Sequence, residues 1–136
     1  QGQIAKNGAN VLGATTVGDL NDYSLVFALH YGSFDVLFTG DADTRIESNY
    51  LHTQLADEQI EVLKVPHHGS RTGMTEAFTI WVDPQLSVIS VGKNSYGHPT
   101  KEAINMLQSV GSKIMRTDES GDIAVISDGK NWVVED

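Results

Sequence analysis

Apolar and polar positions alternate along the first clearly patterned part of the chain, as is typical of paired β-strands. Leu25, Phe27 and Leu29 recur at every second position, and this period of two predicts a strand. The Tyr-Gly-Ser step at 31–33 can turn the chain, and the mostly apolar run 34–39 predicts a buried return strand. The two strands are therefore expected to form a hairpin.

Three helical patterns follow. Thr44 and Glu47 have the spacing of a capping box, which predicts a helix start. Its apolar stripe would consist of Ile46, Tyr50, Leu51 and Leu55. A second helix is predicted over 75–82 and would end at the Asp-Pro step 83–84. A third would start after Thr100 and stop at Gly111.

Further strands lie between and after these helices. Apolar runs at 60–65 and 86–91 predict buried strands. Shorter runs at 114–116, 123–127 and 132–134 predict closing strands, and Asp128-Gly129 indicates a hairpin between the last two. Alternating strands and helices are typical of an α/β fold, in which ligands gather where the strands end.

Composition narrows the class of protein only slightly. The 136 residues are 40% apolar and 20% charged, as in an ordinary globular protein. The net charge of −9 disfavours broad electrostatic binding of nucleic acid. There is no cysteine, which excludes thiolate metal sites and cysteine nucleophiles. Residues 1–20, which are rich in glycine and begin with Gln rather than Met, are expected to be a loop or a truncated end.

Two predicted strand ends carry side chains that suit metal binding. Asp41 follows an apolar strand, and a carboxylate there can cap a helix or bind and bridge metal ions. His67 and His68 follow the next strand and precede Gly69 and Ser70. On an extended chain these two rings would point to opposite sides, one toward a metal and one toward substrate or a supporting carboxylate. A plain surface His pair is the competing interpretation.

A third strand end carries the Tyr-Gly-His-Pro step 96–99, in which His98 could be a ligand, a general acid or a phosphate contact. Gly69 would permit close backbone approach, and Ser70 could cap a turn or donate to an oxyanion. His30 and His52 lack such a setting and are interpreted as structural. Four cations lie close to these motifs and could hold phosphate or simply be solvated: Lys64, Arg71, Lys93 and Lys101. A Gly-x-Ser-x-Gly elbow is absent, which disfavours a serine hydrolase.

Four motifs in order resemble one known family. They are T-G-D-A-D (39–43), V-L-K-V-P-H-H-G-S (62–70), S-V-G-K-N-S-Y-G-H-P (90–99) and R-T-D-E-S-G-D-I (116–123). Together they resemble the hydrolase domain of the ComEC competence-protein family, over roughly residues 21–134. The Asp and His-His-Gly-Ser elements are shared with choline-phosphate esterases and other metallo-β-lactamase-fold hydrolases.

The resemblance implies a metallo-β-lactamase-like αββα sandwich, of which residues 21–136 would be the C-terminal half. It implies a site for two divalent ions, zinc or manganese, with Asp41 as bridging ligand and His67 as the other ligand, although His68 could take its place. His68 and His98 would act in catalysis. Substrate would be bound by Lys64, Ser70, Arg71 and Tyr96.

The chain departs from the family pattern in one respect: it has no His-x-His-x-Asp-His stretch before Asp41. This chain alone is therefore expected to be inactive and to hold no metal, its partner being the missing N-terminal half or a second copy through an exposed sheet. The parent is expected to be a nuclease acting on single-stranded DNA or another phosphodiester during DNA uptake. It would lie in a bacterial inner membrane with this domain soluble. A small phosphoester or lactone esterase and a non-catalytic half-domain are the alternatives.

Overall fold

The computed structural model describes residues 19–49, 51 and 59–135, which form an α/β arrangement. The strands are β1 (Phe27–Tyr31), β2 (Phe34–Phe38), β3 (Val62–Lys64), β4 (Leu86–Ile89), β5 (Lys113–Arg116), β6 (Ala124–Ser127) and β7 (Trp132–Glu135). The helices are α1 (Glu76–Val82), α2 (Lys101–Ser109) and α3 (Thr117–Ser120), with 3-10 turns at Leu20–Tyr23, Glu47–Asn49 and Pro66–Gly69.

The strands β1 to β5 form one mixed sheet in sequence order. The predicted hairpin is confirmed, since β1 pairs antiparallel with β2 and Phe27 lies opposite Phe38. The pairs β2–β3, β3–β4 and β4–β5 are all parallel. The predicted hairpin around Asp128-Gly129 is confirmed as the separate antiparallel pair β6–β7. Most strands are shorter than predicted, and Leu25 lies before β1 rather than within it.

Two of the predicted helices form as expected. The Thr75 side chain accepts a hydrogen bond from the Phe78 amide and caps α1, which ends at Asp83 in a left-handed conformation. The Thr100 side chain accepts from the Ala103 amide and caps α2 in the same way. In each case a hydroxyl at the N-cap fixes the residue at which the loop ends and the helix begins.

The prediction of a helix start from the capping-box spacing at Thr44 is wrong. The described residues there form turns and a 3-10 helix, and Glu47 is buried at 4% exposure. Its carboxylate accepts hydrogen bonds from the Thr75 amide (2.9 Å) and hydroxyl (2.6 Å). Asp43 instead accepts from the Thr44 hydroxyl and the Arg45 amide. Two residues of the predicted stripe, Tyr50 and Leu55, lie outside the described residues.

The two faces of the five-stranded sheet are covered differently. On one, the helix face, α1 and α2 bury a core that includes Leu37, Leu63, Phe78, Ile89 and Leu107, all at 0% exposure. The other, the hairpin face, carries a smaller cluster of buried residues: Phe34, Val36, Val62, Leu86 and Met115. Partly buried residues of the β6–β7 hairpin pack on it: Val125, Trp132 and Val134.

The hairpin face is covered only in part. On β1, Phe27, Leu29 and Tyr31 are 41%, 45% and 54% exposed. An open cavity of about 400 Å³ lies between the sheet and Val125. The described part of the chain contains no helix with the length and apolarity needed to cross a membrane. The domain boundary predicted near residue 20 stays a prediction, because residues 1–18 lie outside the described ranges.

Candidate functional site

The predicted convergence of three strand-end loops is confirmed. The chain leaves β2, β3 and β4 at the same edge of the sheet, because these strands are parallel neighbours. Asp41 follows β2, His67 and His68 follow β3, and His98 lies in the loop after β4. His68 Nε2 lies 3.4 Å from Asp41 Oδ1, and the rings of His67 and His98 are 5.8 Å apart between centroids.

Asp41 is held at this edge by backbone contacts. Gly40 adopts a positive φ of 55° directly after the strand, which a residue without Cβ does at little cost. The Asp41 amide then donates to the Ser24 hydroxyl oxygen at 3.1 Å. The carboxylate is left 43% exposed, facing His68, whose side chain is exposed to the same extent. Asp41 is therefore positioned toward the site and does not cap a helix.

The interpretation of His67 and His68 as residues of an extended chain is wrong. Both are left-handed, with φ of 46° and 55°, inside the 3-10 turn Pro66–Gly69. The two rings therefore do not point to opposite sides: their centroids are 6.4 Å apart. The His67 amide donates to the Gly40 carbonyl at 3.1 Å, which joins the loop after β3 to the loop after β2. Such backbone, rare for residues with a Cβ, is concentrated at functional sites.

The orientation of the His68 ring determines which of its nitrogens is available. Nδ1 lies 2.6 Å from the Ser90 carbonyl oxygen, and a carbonyl can only accept, so Nδ1 carries a proton. In the neutral ring Nε2 then presents a lone pair toward Asp41. A lone pair and a carboxylate repel each other unless a proton or a metal cation lies between them.

His67 and His98 complete a histidine cluster. Asn21 Nδ2 lies 3.4 Å from His67 Nε2, so with this amide orientation Nε2 accepts and Nδ1 carries the proton. Within the described residues, Nδ1 of His67 and Nδ1 of His98 are buried and have no hydrogen-bond partner. Partial burial, together with His67 and His68, lowers the pKa of His98 below its usual value. A neutral imidazole suits a ligand or acceptor better than a general acid.

The loop after β4 is tied down by two polar side chains. The Asn94 amide nitrogen donates to the carbonyls of Gly92 and His98, both at 2.9 Å. Its oxygen accepts from the amides of Tyr96 (3.0 Å) and His98 (3.1 Å). The Thr117 hydroxyl donates to the Val91 carbonyl at 2.7 Å and accepts from the Val91 amide at 2.8 Å.

The predicted close approach at Gly69 is confirmed. A Cβ there would lie 2.7 Å from Pro99 Cβ, which is too close for any larger residue to fit without movement. The Gly69 carbonyl accepts from the Thr100 amide at 2.9 Å. The loop after β3 is thus pressed against the start of α2, and this contact helps to place His98 beside His67.

The predicted substrate-binding residues are placed unequally. Tyr96 is 80% exposed and its ring stacks on that of His98. Ser70 is buried, and its hydroxyl oxygen accepts from the Thr72 amide, so it caps a turn. Lys64 points to the hairpin face and donates to the Val65 carbonyl. Its pKa is lowered by burial, against the opposing charge of Asp41. Arg71 is exposed.

His30 and His52 are the two histidines interpreted as structural. His30, on β1, contacts the Asp35 carboxylate at 2.9 Å near the start of β2, at the edge of the sheet opposite the site. His52 lies outside the described residues.

The donors at the site fit a divalent metal in kind but not in number. A carboxylate and an imidazole are common zinc ligands, and two donors on one tetrahedral zinc lie about 3.3 Å apart, given bonds of about 2.0 Å. The observed separation of 3.4 Å between Asp41 and His68 matches this value. Across the described ranges, however, no three His, Asp or Glu side chains group together so that they could hold a metal ion.

Several residues that build the site were missed by sequence reasoning. Ser24 contacts Asp41, and Asn21 contacts His67. Both contacts form only in the folded chain, because Ser24 and Asn21 lie far from the motifs in sequence. Asn94 gave a local signal, since an Asn between two glycines favours a side-chain-to-backbone turn. Thr117 follows β5 within the fourth motif, but nothing in the local sequence indicated its contact with Val91.

Comparison with known proteins relates the chain to part of larger ones. ComE operon protein 3 of Bacillus subtilis is 34% identical and competence protein ComA of Neisseria gonorrhoeae 36% identical, each over 104 residues. Recombination protein 2 of Haemophilus influenzae is 33% identical over 106 residues. The alignments cover 76–77% of this chain but only 13–15% of these relatives. No family model matches the chain. The matches support membership of a competence-related family.

Proposed function

We propose that this chain is part of a metal-dependent hydrolase of the metallo-β-lactamase fold, of the ComEC type, that cleaves DNA phosphodiesters during DNA uptake. Two observations support the proposal. The relatives carry competence names over about three quarters of this chain. The four motifs of that family converge in part on one sheet edge, where Asp41 meets the histidine cluster.

The observation that carries the proposal is the orientation of His68. Its Nδ1 donates to the Ser90 carbonyl, and its Nε2 faces Asp41 at 3.4 Å. A histidine that binds a metal through one nitrogen commonly donates from the other to a backbone carbonyl. This supports Asp41 and His68 as ligands, which is the reverse of the assignment preferred from sequence, with His67 in a supporting position.

The other side chains at the site would support the metal ligands and the loops that carry them. When bound, the metal would act as a Lewis acid toward the phosphoryl oxygen. His67 Nε2 faces Asn21 and its Nδ1 is buried, so His67 would support the site from behind and would not donate to substrate. Ser24 holds Asp41, and Asn94 and Thr117 hold the loop that carries His98. Further metal ligands would come from outside the described residues, above all from a longer protein or a partner.

The esterase alternative draws support from one observation. The net charge of −9 repels a polyphosphate at long range and so favours a smaller phosphoester. The shortage of ligands within the described residues favours the non-catalytic half-domain for this chain taken alone. The same experiment separates all three.

That experiment compares this chain with a longer protein that includes the sequence upstream of it. Both are titrated with zinc and manganese by calorimetry. Both are then assayed on single- and double-stranded DNA, a small phosphodiester and phosphocholine esters. We expect cleavage of DNA by the longer protein only, lost on Asp41→Ala or His68→Ala. His30→Ala is the matched control, because His30 lies at the opposite edge of the sheet.

Four outcomes would contradict parts of the proposal. Metal-dependent cleavage by this chain alone, abolished by Asp41→Ala, would refute the view that ligands are missing. A longer protein that hydrolyses only phosphocholine esters would favour the esterase. If the longer protein binds neither zinc nor manganese, the non-catalytic half-domain would be favoured. Loss of metal binding with His67→Ala but not with His68→Ala would restore the assignment made from sequence.

A further inference from the structure

An open cavity of about 430 Å³ lies beside the histidine cluster. The loop after β4 contributes Val91, Gly92, Lys93 and Tyr96 to its lining, and His68 and His98 line the side toward the metal ligands. Its volume is at the small end of the range for ligand sites. Its size suits a single unpaired nucleotide.

Tyr96 is the most unusual residue of this lining. Its side chain is 80% exposed, so it contributes little to the core. One face of the ring lies on His98, with centroids 5.8 Å apart and planes inclined by only 16°. A flat, exposed ring that is supported on one face can receive a second flat ring on the other.

The loop that carries the ring is held in place by hydrogen bonds to its backbone. The Tyr96 amide donates to Asn94, which also binds the backbone of His98 on both its amide and its carbonyl. Thr117 fixes Val91 at the start of the same loop. A ligand that stacks on a loop fixed in this way spends little conformational entropy on ordering it.

The charge of the site distinguishes two modes of DNA binding: aromatic stacking of a base and electrostatic binding of the phosphate backbone. The chain carries a net charge of −9, and among the lining residues Lys93 is the only permanent cation. Proteins that bind a DNA backbone electrostatically rely on several Lys and Arg contacts. Aromatic stacking needs no such charge and requires that the base be unpaired, as it is in a single strand.

We propose that Tyr96, supported by His98, is a stacking platform for an unpaired base of single-stranded DNA next to the bond to be cleaved. This inference rests on the proposed function and names the substrate form of the same site. Because His98 also lies beside His67, a base on Tyr96 would bring its own phosphodiester toward Asp41 and His68. Binding should depend on stacking and only weakly on salt.

Phosphocholine is the competing small ligand for an aromatic site. A quaternary ammonium is bound by several aromatic faces that surround it. In this cavity Tyr96 is the one such ring among the lining residues, so a quaternary ammonium would not be surrounded by aromatic faces. The lining therefore favours a flat base over a cationic head group.

Binding by the present chain tests the inference without any need for catalysis. Fluorescence anisotropy would follow labelled pentathymidylate and a blunt twelve-base-pair duplex, with thymidine 5′-monophosphate and phosphocholine as competitors. We expect Tyr96→Ala to weaken pentathymidylate binding about tenfold or more, as for loss of one stacked base. Tyr96→Phe should stay within about twofold, because it keeps the stacking surface. Tyr31→Ala, an exposed tyrosine at the opposite edge of the sheet, is the matched control.

Three results would overturn the platform. These are wild-type affinity of Tyr96→Ala for pentathymidylate, an equal loss for the duplex, and displacement by phosphocholine but not by thymidine monophosphate. Near-ultraviolet circular dichroism would confirm that each variant is folded.

Asp41→Ala separates this inference from the proposed function, since it should abolish cleavage by the longer protein and leave Tyr96-dependent binding in place. If the longer protein cleaves single and double strands in an unchanged ratio with Tyr96→Ala, only the platform fails. If Tyr96-dependent binding persists but no cleavage is found, only the nuclease function fails.

Discussion

The two faces of the sheet are built from similar strands but are closed to different degrees. The helix face is covered by α1 and α2, and its central side chains have no exposed surface. Among the described residues, the two-stranded sheet β6–β7 covers the hairpin face, and β1 leaves Phe27, Leu29 and Tyr31 substantially exposed. Apolar alternation thus marks a strand face equally well whether the face is buried or open. Stability should reside mainly in the helix face.

The largest expected effect compares one phenylalanine from each region. Phe78→Ala removes a fully buried ring from the helix face and should cost about 3–5 kcal/mol. Phe27→Ala should cost clearly less, about 1 kcal/mol, because that ring is 41% exposed and mainly stacks on Phe38. Urea unfolding followed by circular dichroism measures both. Equal losses would mean that the hairpin face is as well buried as the helix face.

A smaller effect is expected from the buried carboxylate that anchors α1 on the helix face. Glu47→Ala leaves the Thr75 amide and hydroxyl without their acceptor and should cost about 1–3 kcal/mol. Glu76→Ala, on the exposed side of the same helix, is the control and should change stability by less than about 0.5 kcal/mol. Indistinguishable unfolding midpoints would show that the Glu47 contacts contribute nothing measurable.

A third effect depends on pH and concerns the polar turn that leads out of β2. Burial opposes ionisation of Asp43, but hydrogen bonds from Thr72 and the Arg45 amide, with the Arg45 charge, outweigh it and lower its pKa. A depressed pKa in the folded state stabilises the fold above the unfolded value of about 3.9. That contribution is lost as pH falls through the lower folded value.

Asp43→Asn should therefore destabilise the chain by about 1 kcal/mol at pH 7, and the difference should shrink below about pH 4. Urea midpoints at pH 7, 5 and 3 measure it. Asp128→Asn is a useful comparison, because the exposed Asp128 also has a lowered pKa, from backbone hydrogen bonds of Asn131 and Lys130, but on the β6–β7 hairpin. A gap between wild type and Asp43→Asn that widened toward pH 3 would contradict the assignment.

The smallest effect on stability tests the open face directly. Leu29→Lys should change the free energy of unfolding by about 0.5 kcal/mol or less, since Leu29 is 45% exposed. It should nevertheless reduce any concentration-dependent association in sedimentation velocity, because an exposed apolar strand face favours contacts between copies. Ile80→Lys, 65% exposed on α1, is the control for added charge. Association unaffected by Leu29→Lys would place the contact elsewhere.

Local sequence patterns were sufficient for most elements of the fold. Period-two alternation predicted the β1–β2 hairpin, the Asp-Pro step at 83–84 predicted the end of α1, and the hydroxyl cap at Thr100 predicted α2. The order of strands and helices predicted a parallel arrangement, and with it the meeting of Asp41, the His67–His68 pair and His98 at one edge. These features depend on neighbouring residues and on the rule that parallel strands end at the same edge, so the sequence by itself determined them.

What the local pattern could not determine depends on contacts between distant segments. Glu47 has capping-box spacing, but its carboxylate binds Thr75, 28 positions away, where burial makes that bond the more favourable one. His68 is aimed at Asp41 by the Ser90 carbonyl, 22 positions away, and by a left-handed backbone that spacing does not reveal. The choice between neighbouring histidines, the support of Tyr96 and the openness of the hairpin face were decided only by tertiary structure, because each depends on which surfaces the packed elements bring into contact.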